Sequence, residues 1–311
     1  MPSAEISVII PLYNKEKFIE KALASICSQN MLPKEIIIVN DGSTDSSEQE
    51  VAKFVETVKT TVRITLVNTG NFGVSAARNS GVELAKCKYV SFLDADDVWD
   101  KNYLTNINQL INDYPKAIVF SCSHKVQREN DKEFTPNNML PNDFRGILKD
   151  FCHFSQKASL INSSKVTILK EKLIEVGGFP IDVKVGEDIF VWIRLEMLGA
   201  MAFINKPLVT INQFYDVQRT GRVGEIPYPI KYFASDSTGL KPSMKIYLKK
   251  LGITHVLMCL KDSNSKQALE IVAMLERILN KKLKLTKVVC KLPCWLFKFS
   301  YMLYMKLKQY R

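Results

Sequence analysis

The sequence lacks the short motifs that would assign it to several common protein classes. It has no Walker lysine loop, no His-x-x-x-His pair, no Cys-x-x-Cys pair and no Gly-x-Gly-x-x-Gly loop. These absences argue against a P-loop nucleotide site, a helical zinc site and a Rossmann-type cofactor site. The seven cysteines are odd in number and scattered, so no disulfide framework is expected and a reduced, cytoplasmic compartment fits best.

Acidic side chains are absent from residues 281–311, which carry nine basic residues. Subtracting these nine from the net charge of +11 leaves +2 for residues 1–280, and a nearly neutral body argues against nucleic-acid binding. Lys291, Pro293 and Lys298 interrupt the apolar part of this tail, and each central lysine costs about 2.5–3.5 kcal/mol for membrane insertion. We therefore expect a basic amphipathic helix on an anionic membrane surface, or alternatively a terminal helix packed on the body.

Short β-branched segments alternate with helical periodicity over the first 125 residues. This alternation predicts an α/β fold with a mostly parallel sheet flanked by helices. The predicted strands are 6–10, 36–39, 62–67, 89–93 and 117–121, and the predicted helices between them are 15–29, 46–59, 74–85 and 100–113.

The rest of the chain is predicted from composition. Residues 126–158 are polar and aperiodic, which indicates a loop or insertion. We expect a catalytic domain over residues 1–215 and a linker or mobile loop over 216–242, which is rich in Gly and Pro. Residues 243–311 have helical patterns and are expected to form a helical C-terminal extension that ends in the basic tail.

Polar clusters follow three of the predicted strands directly. They are Tyr13-Asn14, Asn40-Asp41-Gly42-Ser43 and Asp94-Ala95-Asp96-Asp97. In open parallel sheets, ligands bind beyond the carboxyl ends of the strands. The three clusters therefore predict a single cleft.

The acidic cluster at 94–97 is the most informative of the three. Three carboxylates in four positions repel one another unless a cation neutralises them, and their hard oxygen atoms suit Mn²⁺ or Mg²⁺. Such an ion would stabilise a leaving nucleotide diphosphate. The alternative is a solvated acidic turn in which Asp97 caps a following helix.

Two further carboxylate positions have both a functional and a plain structural interpretation. Asp41 is placed to accept hydrogen bonds from a base or ribose, or belongs to a common turn and helix cap. Glu187 and Asp188 begin an apolar helix, whose N-terminus stabilises ionised carboxylates. An ionised carboxylate aimed at a hydroxyl is the general base that an inverting sugar transfer needs, and plain helix stabilisation is the alternative. The three histidines are far apart in the sequence and are expected to be surface or packing residues.

These clusters, in this order, resemble the family 2 glycosyltransferases, which have a GT-A fold. The matching stretches are SVIIPLYN at 7–14, VNDGSTD at 39–45, ARNSG at 77–81, FLDADD at 92–97, GGF at 177–179 and ED at 187–188. They extend over nearly two thirds of the chain, and six motifs in register are far more specific than any one of them.

The resemblance implies roles for the matching positions. The residues expected to bind the nucleotide sugar are Pro11, Leu12, Tyr13, Asp41, Arg78, Asp94 and Ala95. Asp96, with Asp94, is expected to bind the divalent ion, Mn²⁺ or Mg²⁺. Asp188 is expected to be the catalytic base with Glu187 beside it, and Gly177, Gly178 and Trp192 are expected to shape the acceptor pocket.

The same resemblance implies an inverting, non-processive enzyme. It would transfer a sugar from a nucleotide-diphosphate donor, with UDP the first candidate, to a glycan or lipid-linked acceptor in cell-surface polysaccharide or glycolipid synthesis. Some relatives supply a histidine metal ligand after the Glu-Asp motif, but His255 is the only histidine beyond residue 188, so a third protein ligand is not assigned. With the basic tail, the expected location is the cytoplasmic face of the inner membrane. The alternatives are a sugar nucleotidyltransferase and an inactive nucleotide-sugar-binding protein.

Overall fold

A computed structural model describes residues 4–128, 132–213 and 225–291 of the chain. The strands in these ranges are β1 (Ile6–Leu12), β2 (Glu35–Asp41), β3 (Arg63–Thr69), β4 (Tyr89–Phe92), β5 (Val98–Trp99), β6 (Ala117–Arg128), β7 (Glu133–Phe134), β8 (Arg145–Ile147), β9 (Val166–Leu169) and β10 (Ala200–Gln213). The helices are α1 (Ile19–Cys27), α2 (Ser47–Thr57), α3 (Val74–Leu84), α4 (Tyr103–Asp113), α5 (Phe151–Phe154), α6 (Lys170–Glu175), α7 (Glu187–Leu198), α8 (Tyr228–Ser235), α9 (Pro242–Lys261), α10 (Ser265–Leu279) and α11 (Lys284–Lys291).

The strands form one sheet in the order β3-β2-β1-β4-β9-β6-β10-β5, with β7 beside β6 and β8 beside β10. The first four strands of this order are parallel, as the alternation of strands and helices predicts. Strand β9 then runs antiparallel to both β4 and β6, so the sheet as a whole is mixed. The predicted α/β fold with flanking helices is confirmed. Its parallel half places the carboxyl ends of β1, β2 and β4 side by side.

The second half of the sheet contains pairings that the sequence does not predict. Part of the expected loop at 126–158 forms the end of β6, the short strands β7 and β8 and helix α5. Strand β10 pairs in parallel with β6, and its register shifts on both sides of Pro207. Proline has no N–H group for the ladder, so such a position favours an irregularity in a strand. Beyond this irregularity, β10 pairs with β5.

Helix α3 lies unusually close to β1 because Gly81 faces the strand. A Cβ atom at Gly81 would lie 2.4 Å from Cγ2 of Ile9, a separation that real Cβ atoms do not show. Strand β1 itself is buried along its whole length. The close packing fixes the middle of α3, where Arg78 and Asn79 lie, over the parallel strands.

The described residues divide into two compact units. The first contains those of Met1–Asp182 and Val191–Tyr215, and therefore the whole sheet. The second contains those of Val183–Phe190 and Asp216–Arg311. Helix α7 contributes its first four residues to the second unit and the remainder to the first.

The second unit is helical, and part of it lies in the segment expected to be a linker. Residues 228–235 of that segment form α8, and residues 214–224 lie outside the described residues. The ring of Phe190 in α7 packs against Tyr228 and Tyr232, at centroid distances of 4.9 and 4.8 Å. In the described ranges, no helix combines the length and apolar character that a membrane span requires.

Candidate active site

The chain segments after β1 and β2 are joined by hydrogen bonds between their backbones and side chains. Asn14, at φ 51°, accepts a hydrogen bond from the backbone of Thr44 on its Oδ1 at 2.7 Å. The backbone N–H of Lys15 donates to Oγ of Ser47 at 2.8 Å. The sequence places both segments at strand ends, and these bonds hold them together at one edge of the sheet. We call residues 13–16, 41–47, 70–73 and 94–97 the binding edge.

Asp41 is buried at this edge, and both of its carboxylate oxygens accept backbone hydrogen bonds. Oδ1 accepts from Phe72 and Oδ2 from Gly73, each at 2.8 Å. These bonds fix the loop that leads into α3, where Gly73 has a φ of 91°. Asp41 therefore positions this loop. A base or ribose that bound to Asp41 would share the two carboxylate oxygens of this residue with the loop.

Of the other predicted nucleotide-binding residues, Pro11 and Leu12 lie inside β1 and are fully buried. The side chain of Leu12 belongs to the hydrophobic core, so any ligand contact from this residue would come from its backbone. Tyr13 follows the strand and is half-buried, whereas Ala95 is buried. Of these four residues, Tyr13 is the one that is not buried.

Arg78 joins helix α3 to the acidic residues. Its Nη2 donates to Oδ1 of Asp94 at 2.9 Å, and its guanidinium carbon lies 5.3 Å from the ring centre of Phe179. The side chain of Arg78 is 5% exposed, whereas that of Asp94 is 36% exposed. A planar guanidinium fixed in this way holds the carboxylate firmly, and leaves Asp94 accessible from the cleft.

The three acidic side chains at 94–97 have different surroundings. Oδ2 of Asp96 lies 3.1 Å from Nζ of Lys15. Asp97 is buried, and accepts hydrogen bonds from Oγ of Ser164 and from the backbone N–H of Asn212. Burial, with the charges of Asp96 and Asp94 nearby, raises the pKa of Asp97 well above its usual value. Asp97 is therefore a structural member of the cluster, whereas the side chains of Asp94 and Asp96 are 36% and 13% exposed.

Asp97 does not cap a helix, so that alternative is wrong. The residues after it, Val98 and Trp99, form β5 and pair with β10, and the next helix begins at Tyr103. Asn212 at the end of β10 also donates from its side chain to the backbone carbonyl of Asp96. The acidic turn is thus held from β10 and from the segment before β9.

Gly177 and Gly178 form the turn after α6 that places Phe179 against α3. Their φ angles are 90° and 68°, which glycine adopts without strain. Asn79 accepts a hydrogen bond from the backbone N–H of Phe179 at 2.9 Å and donates to its carbonyl at 2.7 Å. Trp192 is buried and packs edge to face on Phe179, at 5.9 Å. The structure therefore brings this predicted acceptor-side group together with Arg78.

Glu187 and Asp188 form the first turn of α7, as the sequence predicts. Gly186 before them has a φ of 81°, and a Cβ atom there would lie 2.9 Å from Pro229. Oδ1 of Asp188 accepts the backbone N–H of Ile189 at 2.7 Å. Both carboxylates therefore lie at the N-terminus of α7.

Behind the acidic turn lies a buried lysine that sequence reasoning missed. Nζ of Lys165 lies 2.8 Å from Nδ1 of His124 and donates to the carbonyl of Ser159 at 2.8 Å. Burial lowers the pKa of Lys165 to about 7, and burial together with Lys165 lowers that of His124 to about 3. His124 is a packing residue, as expected. Lys165 follows Ser164 directly, so its environment bears on the segment that holds Asp97.

Lys15, Ser164 and Asn212 are the site residues that the sequence does not reveal. Lys15 directly follows the predicted cluster Tyr13-Asn14, and this position is the one sequence signal that points to it. Ser164 and Asn212 reach the turn at 94–97 from 67 and 115 residues away along the chain from Asp97. Only the pairing of β9 and β10 into the sheet brings them there.

Among the described residues, Asp94 and Asp96 of the acidic turn supply the carboxylate oxygens expected of a metal site. Within the described part of the chain, no three side chains of His, Cys, Asp or Glu come together as a metal site. Asp94 and Asp96 each use one carboxylate oxygen in an ion pair, which leaves a second oxygen of the kind that Mg²⁺ and Mn²⁺ prefer. The residues fit an ion that takes its remaining ligands from water or from a substrate.

Comparison with known sequences gives a match to a family model. Residues 7–169, just over half of the chain, match Glycosyl transferase family 2. The poly(ribitol-phosphate) beta-glucosyltransferase of Bacillus spizizenii is 28% identical over 244 residues, which cover 72% of this chain and 34% of that protein. Glycosyltransferase GlyA of Streptococcus pneumoniae is 39% identical over 115 residues, 37% of this chain and 16% of that protein. The chain thus spans about a third or less of the length of these two relatives.

Solved structures match the fold over nearly the whole chain. S. aureus TarS 1–349, in complex with UDP-GlcNAc, has a TM-score of 0.67 at 18% identity, with 96% of this chain and 91% of that chain covered. The mannosyltransferase PcManGT from Pyrobaculum calidifontis, in complex with GDP-Man and Mn²⁺, has a TM-score of 0.53 at 22% identity, with 91% and 89% covered. At this identity the matches confirm the GT-A fold.

Proposed function

Because the chain belongs to glycosyl transferase family 2 and is a glycosyltransferase, we propose that it transfers a sugar from a nucleotide-diphosphate donor to an acceptor hydroxyl. The donor we infer is a UDP-sugar, and the acceptor a glycan or glycolipid of the cell surface. The observation that carries this proposal is the convergence of Asp41, Arg78, Asp94 and Asp96 on one edge of the parallel strands. Two similar proteins support this choice of donor and acceptor. TarS has been solved with UDP-GlcNAc, and the Bacillus spizizenii protein is named for poly(ribitol-phosphate).

Asp94 and Asp96 are proposed to hold a divalent ion, Mn²⁺ or Mg²⁺. Their carboxylate oxygens suit either ion, and PcManGT has been solved with Mn²⁺ beside GDP-Man. When bound, the ion would offset the negative charge that develops on the diphosphate. Arg78 orients Asp94 for this role through the 2.9 Å bond between Nη2 and Oδ1.

Asp188 is proposed as the catalytic base, with Glu187 beside it. Its role rests on the Glu-Asp motif and on its position in the first turn of α7, where the helix dipole favours negative charge. In a single displacement, Asp188 takes the proton of the acceptor hydroxyl as that oxygen forms a bond to the anomeric carbon. The bond from the anomeric carbon to the diphosphate oxygen breaks, and the nucleotide diphosphate leaves with the electron pair. The product has the inverted configuration.

The acceptor side is proposed to include Gly177, Gly178 and Trp192. Trp192 packs on Phe179, the residue that directly follows Gly177 and Gly178. Among the described residues its buried indole N–H has no hydrogen-bond partner. Residues 126–158 are proposed to contribute to the choice of acceptor. We further propose that the enzyme is non-processive and adds one sugar per encounter.

Membrane-surface association through residues 281–311 is part of the proposal. Of these residues the structure describes 281–291, where Leu285 and Val288 of α11 are 78% and 56% exposed. Two exposed apolar residues three positions apart, among lysines, suit the headgroup region of an anionic bilayer. The enzyme would then work on the cytoplasmic face of the inner membrane.

We expect Leu285→Ser with Val288→Ser to reduce cosedimentation with vesicles of anionic phospholipid, while Ile246→Ser, an exposed position on α9, has no effect. Equal sedimentation of both variants would contradict this assignment.

The donor is tested by thermal unfolding with a panel of nucleotide sugars, each with and without Mn²⁺. We expect one donor to raise the melting temperature in an ion-dependent way, and the same donor to be consumed with release of nucleoside diphosphate. Asp188→Asn should abolish turnover and leave donor binding intact. Release of pyrophosphate would identify a nucleotidyltransferase instead. Ion-dependent binding without turnover, for any acceptor offered, would identify a sugar-nucleotide-binding protein.

A further inference from the structure

Phe72 is an exposed aromatic residue in the loop that leads into α3. It is 71% exposed, whereas Phe134, the next most exposed phenylalanine of the described residues, is 41% exposed. Its ring lies against Gly70, where a Cβ atom would lie 3.0 Å from two of the ring carbons. A ligand that covered the ring would be stabilised, because apolar surface would leave water. Single exposed apolar residues are nevertheless common, so the position of Phe72 decides what its exposure means.

The backbone beneath Phe72 is held in place from the end of β2. The N–H of Phe72 donates to Oδ1 of Asp41 and that of Gly73 to Oδ2, both at 2.8 Å. Gly42 lies close to the same loop, since a Cβ atom there would lie 3.0 Å from the backbone nitrogen of Asn71. The exposed ring therefore stands on a fixed loop, and a ligand that bound to it would not have to order that loop.

The order of the strands places Phe72 at one end of the binding edge and the proposed ion site at the other. The parallel strands lie in the order β3-β2-β1-β4. The loop at 70–73 follows β3 and the acidic turn at 94–97 follows β4, with Asp41 at the end of β2 between them. Strands β3 and β4 are three strand spacings apart, or about 14 Å. A nucleoside diphosphate has a comparable extended length, so one whose phosphates lay at the acidic turn would have its base near Asp41 and Phe72.

The base is also the part of the donor whose chemistry suits this side chain. A phenyl ring has no hydrogen-bonding atoms and offers a planar apolar face, on which a nucleobase can stack. We propose that Phe72 is the stacking surface for the nucleobase of the donor. This proposal rests on the proposed function and adds a residue to the base end of the site. Because every base has a π face, Phe72 contributes affinity for the base without selecting among bases.

The test measures binding in the absence of turnover, by calorimetry at saturating Mn²⁺. The first probe is UDP, or GDP if the wild type binds GDP instead. The second is ribose 5-diphosphate, which keeps the sugar and both phosphates but lacks the base, and its affinity is obtained by displacement of the first. The variants are Phe72→Ala, Phe72→Leu and Phe72→Trp. Leu84→Ala is the control, since Leu84 is 47% exposed at the far end of α3 and lies outside the binding edge.

Phe72→Ala should bind the nucleoside diphosphate about tenfold more weakly, which lies within the usual range for the loss of one stacking contact, and should bind ribose 5-diphosphate as the wild type does. Phe72→Leu should also bind the nucleoside diphosphate more weakly, because its branched side chain has no planar face. Phe72→Trp should bind at least as tightly as the wild type, and the nucleotide should quench the fluorescence that this substitution adds. Leu84→Ala should match the wild type. Melting temperatures establish that the variants are folded, and Phe72→Leu carries the test if Phe72→Ala is not.

Two outcomes overturn the inference. If Phe72→Ala binds the nucleoside diphosphate as tightly as the wild type, the ring does not stack on the base. If its affinity for ribose 5-diphosphate falls by the same factor, the ring supports the loop at 70–73 and not the base. Either result leaves the proposed function in place. By contrast, a wild type that binds no nucleotide or nucleotide sugar contradicts the proposed function itself.

Discussion

Substitution of Lys165 by methionine should change how the stability of the protein depends on pH. Lys165 is buried, with its Nζ between His124 Nδ1 and the carbonyl of Ser159, and burial lowers its pKa to about 7. In the unfolded chain a lysine has a pKa of about 10.4. Between these two values, the unfolded state binds one more proton than the folded state. The free energy of unfolding therefore rises with pH across this window.

The size of the effect follows from the two pKa values. The slope approaches about 1.4 kcal/mol per pH unit, and integration from pH 7 to pH 9 gives about 2 kcal/mol. His124 contributes a gain of the same sign only between about pH 3 and its unfolded pKa of about 6.5, so it does not affect this window. The pKa of the neighbouring Cys122 thiol is raised to about 12 by burial, whereas an unfolded thiol has a pKa of about 8.5. Thiol ionisation in the unfolded state therefore lowers the stability of wild type and Lys165→Met alike within this window, and it cancels in the difference between them.

The assay is urea unfolding at pH 7, 8 and 9 for the wild type, Lys165→Met and Lys157→Met. Lys157 is exposed in the same segment and serves as the control. The stability difference between wild type and Lys165→Met should shift in favour of the wild type by about 2 kcal/mol over this range. Lys157→Met should follow the wild type. Parallel pH profiles for the wild type and Lys165→Met would refute the reasoning, since they would mean that Lys165 titrates alike in both states.

Three other substitutions test the packing and the site. Gly81→Ala should lower the free energy of unfolding by about 1–3 kcal/mol in urea titrations, because its Cβ would lie 2.4 Å from Ile9; unchanged stability would show that α3 can shift away. Asp97→Ala should also destabilise, by about 1–3 kcal/mol for each of the two donors it leaves without an acceptor. An equal midpoint and slope in urea would contradict the structural role of Asp97. Asp96→Asn should abolish the Mn²⁺-dependent rise in melting temperature with the donor while the apo protein melts normally, and an undiminished rise would exclude Asp96 as a ligand.

The parallel half of the fold could be predicted because its strands are buried on both faces. Such strands are mainly apolar, as in Ile6–Leu12 and in residues 36–39 of β2, and the helices between them have clear periodicity. Strand β10 has no such signal. It contains Asn205, Lys206 and Pro207, its exposure changes along its length, and its partners change at the irregularity. Its assignment depends on the tertiary pairing with β6.

Helix α8 illustrates a different limit of sequence reasoning. It lies in a segment rich in Gly and Pro, and composition of that kind indicates a loop. Within the helix, however, Tyr228, Tyr232 and Phe233 form one aromatic face, with spacings of four and five residues, that packs on Phe190. The helix is stabilised by this tertiary contact, and eight residues are too few for intrinsic propensity to decide.

The acidic turn could be located from the sequence, but the way its charges are balanced could not. Three carboxylates in four positions indicate a need for positive charge, and a divalent ion is the simplest source. The structure instead gives each carboxylate its own partner: Arg78 for Asp94, Lys15 for Asp96, and two neutral hydrogen-bond donors for Asp97. An ion that enters this site meets two protein cations already in place and only two carboxylates that face it. We therefore expect its affinity for the free protein to be low, and to rise when a diphosphate brings further oxygen ligands.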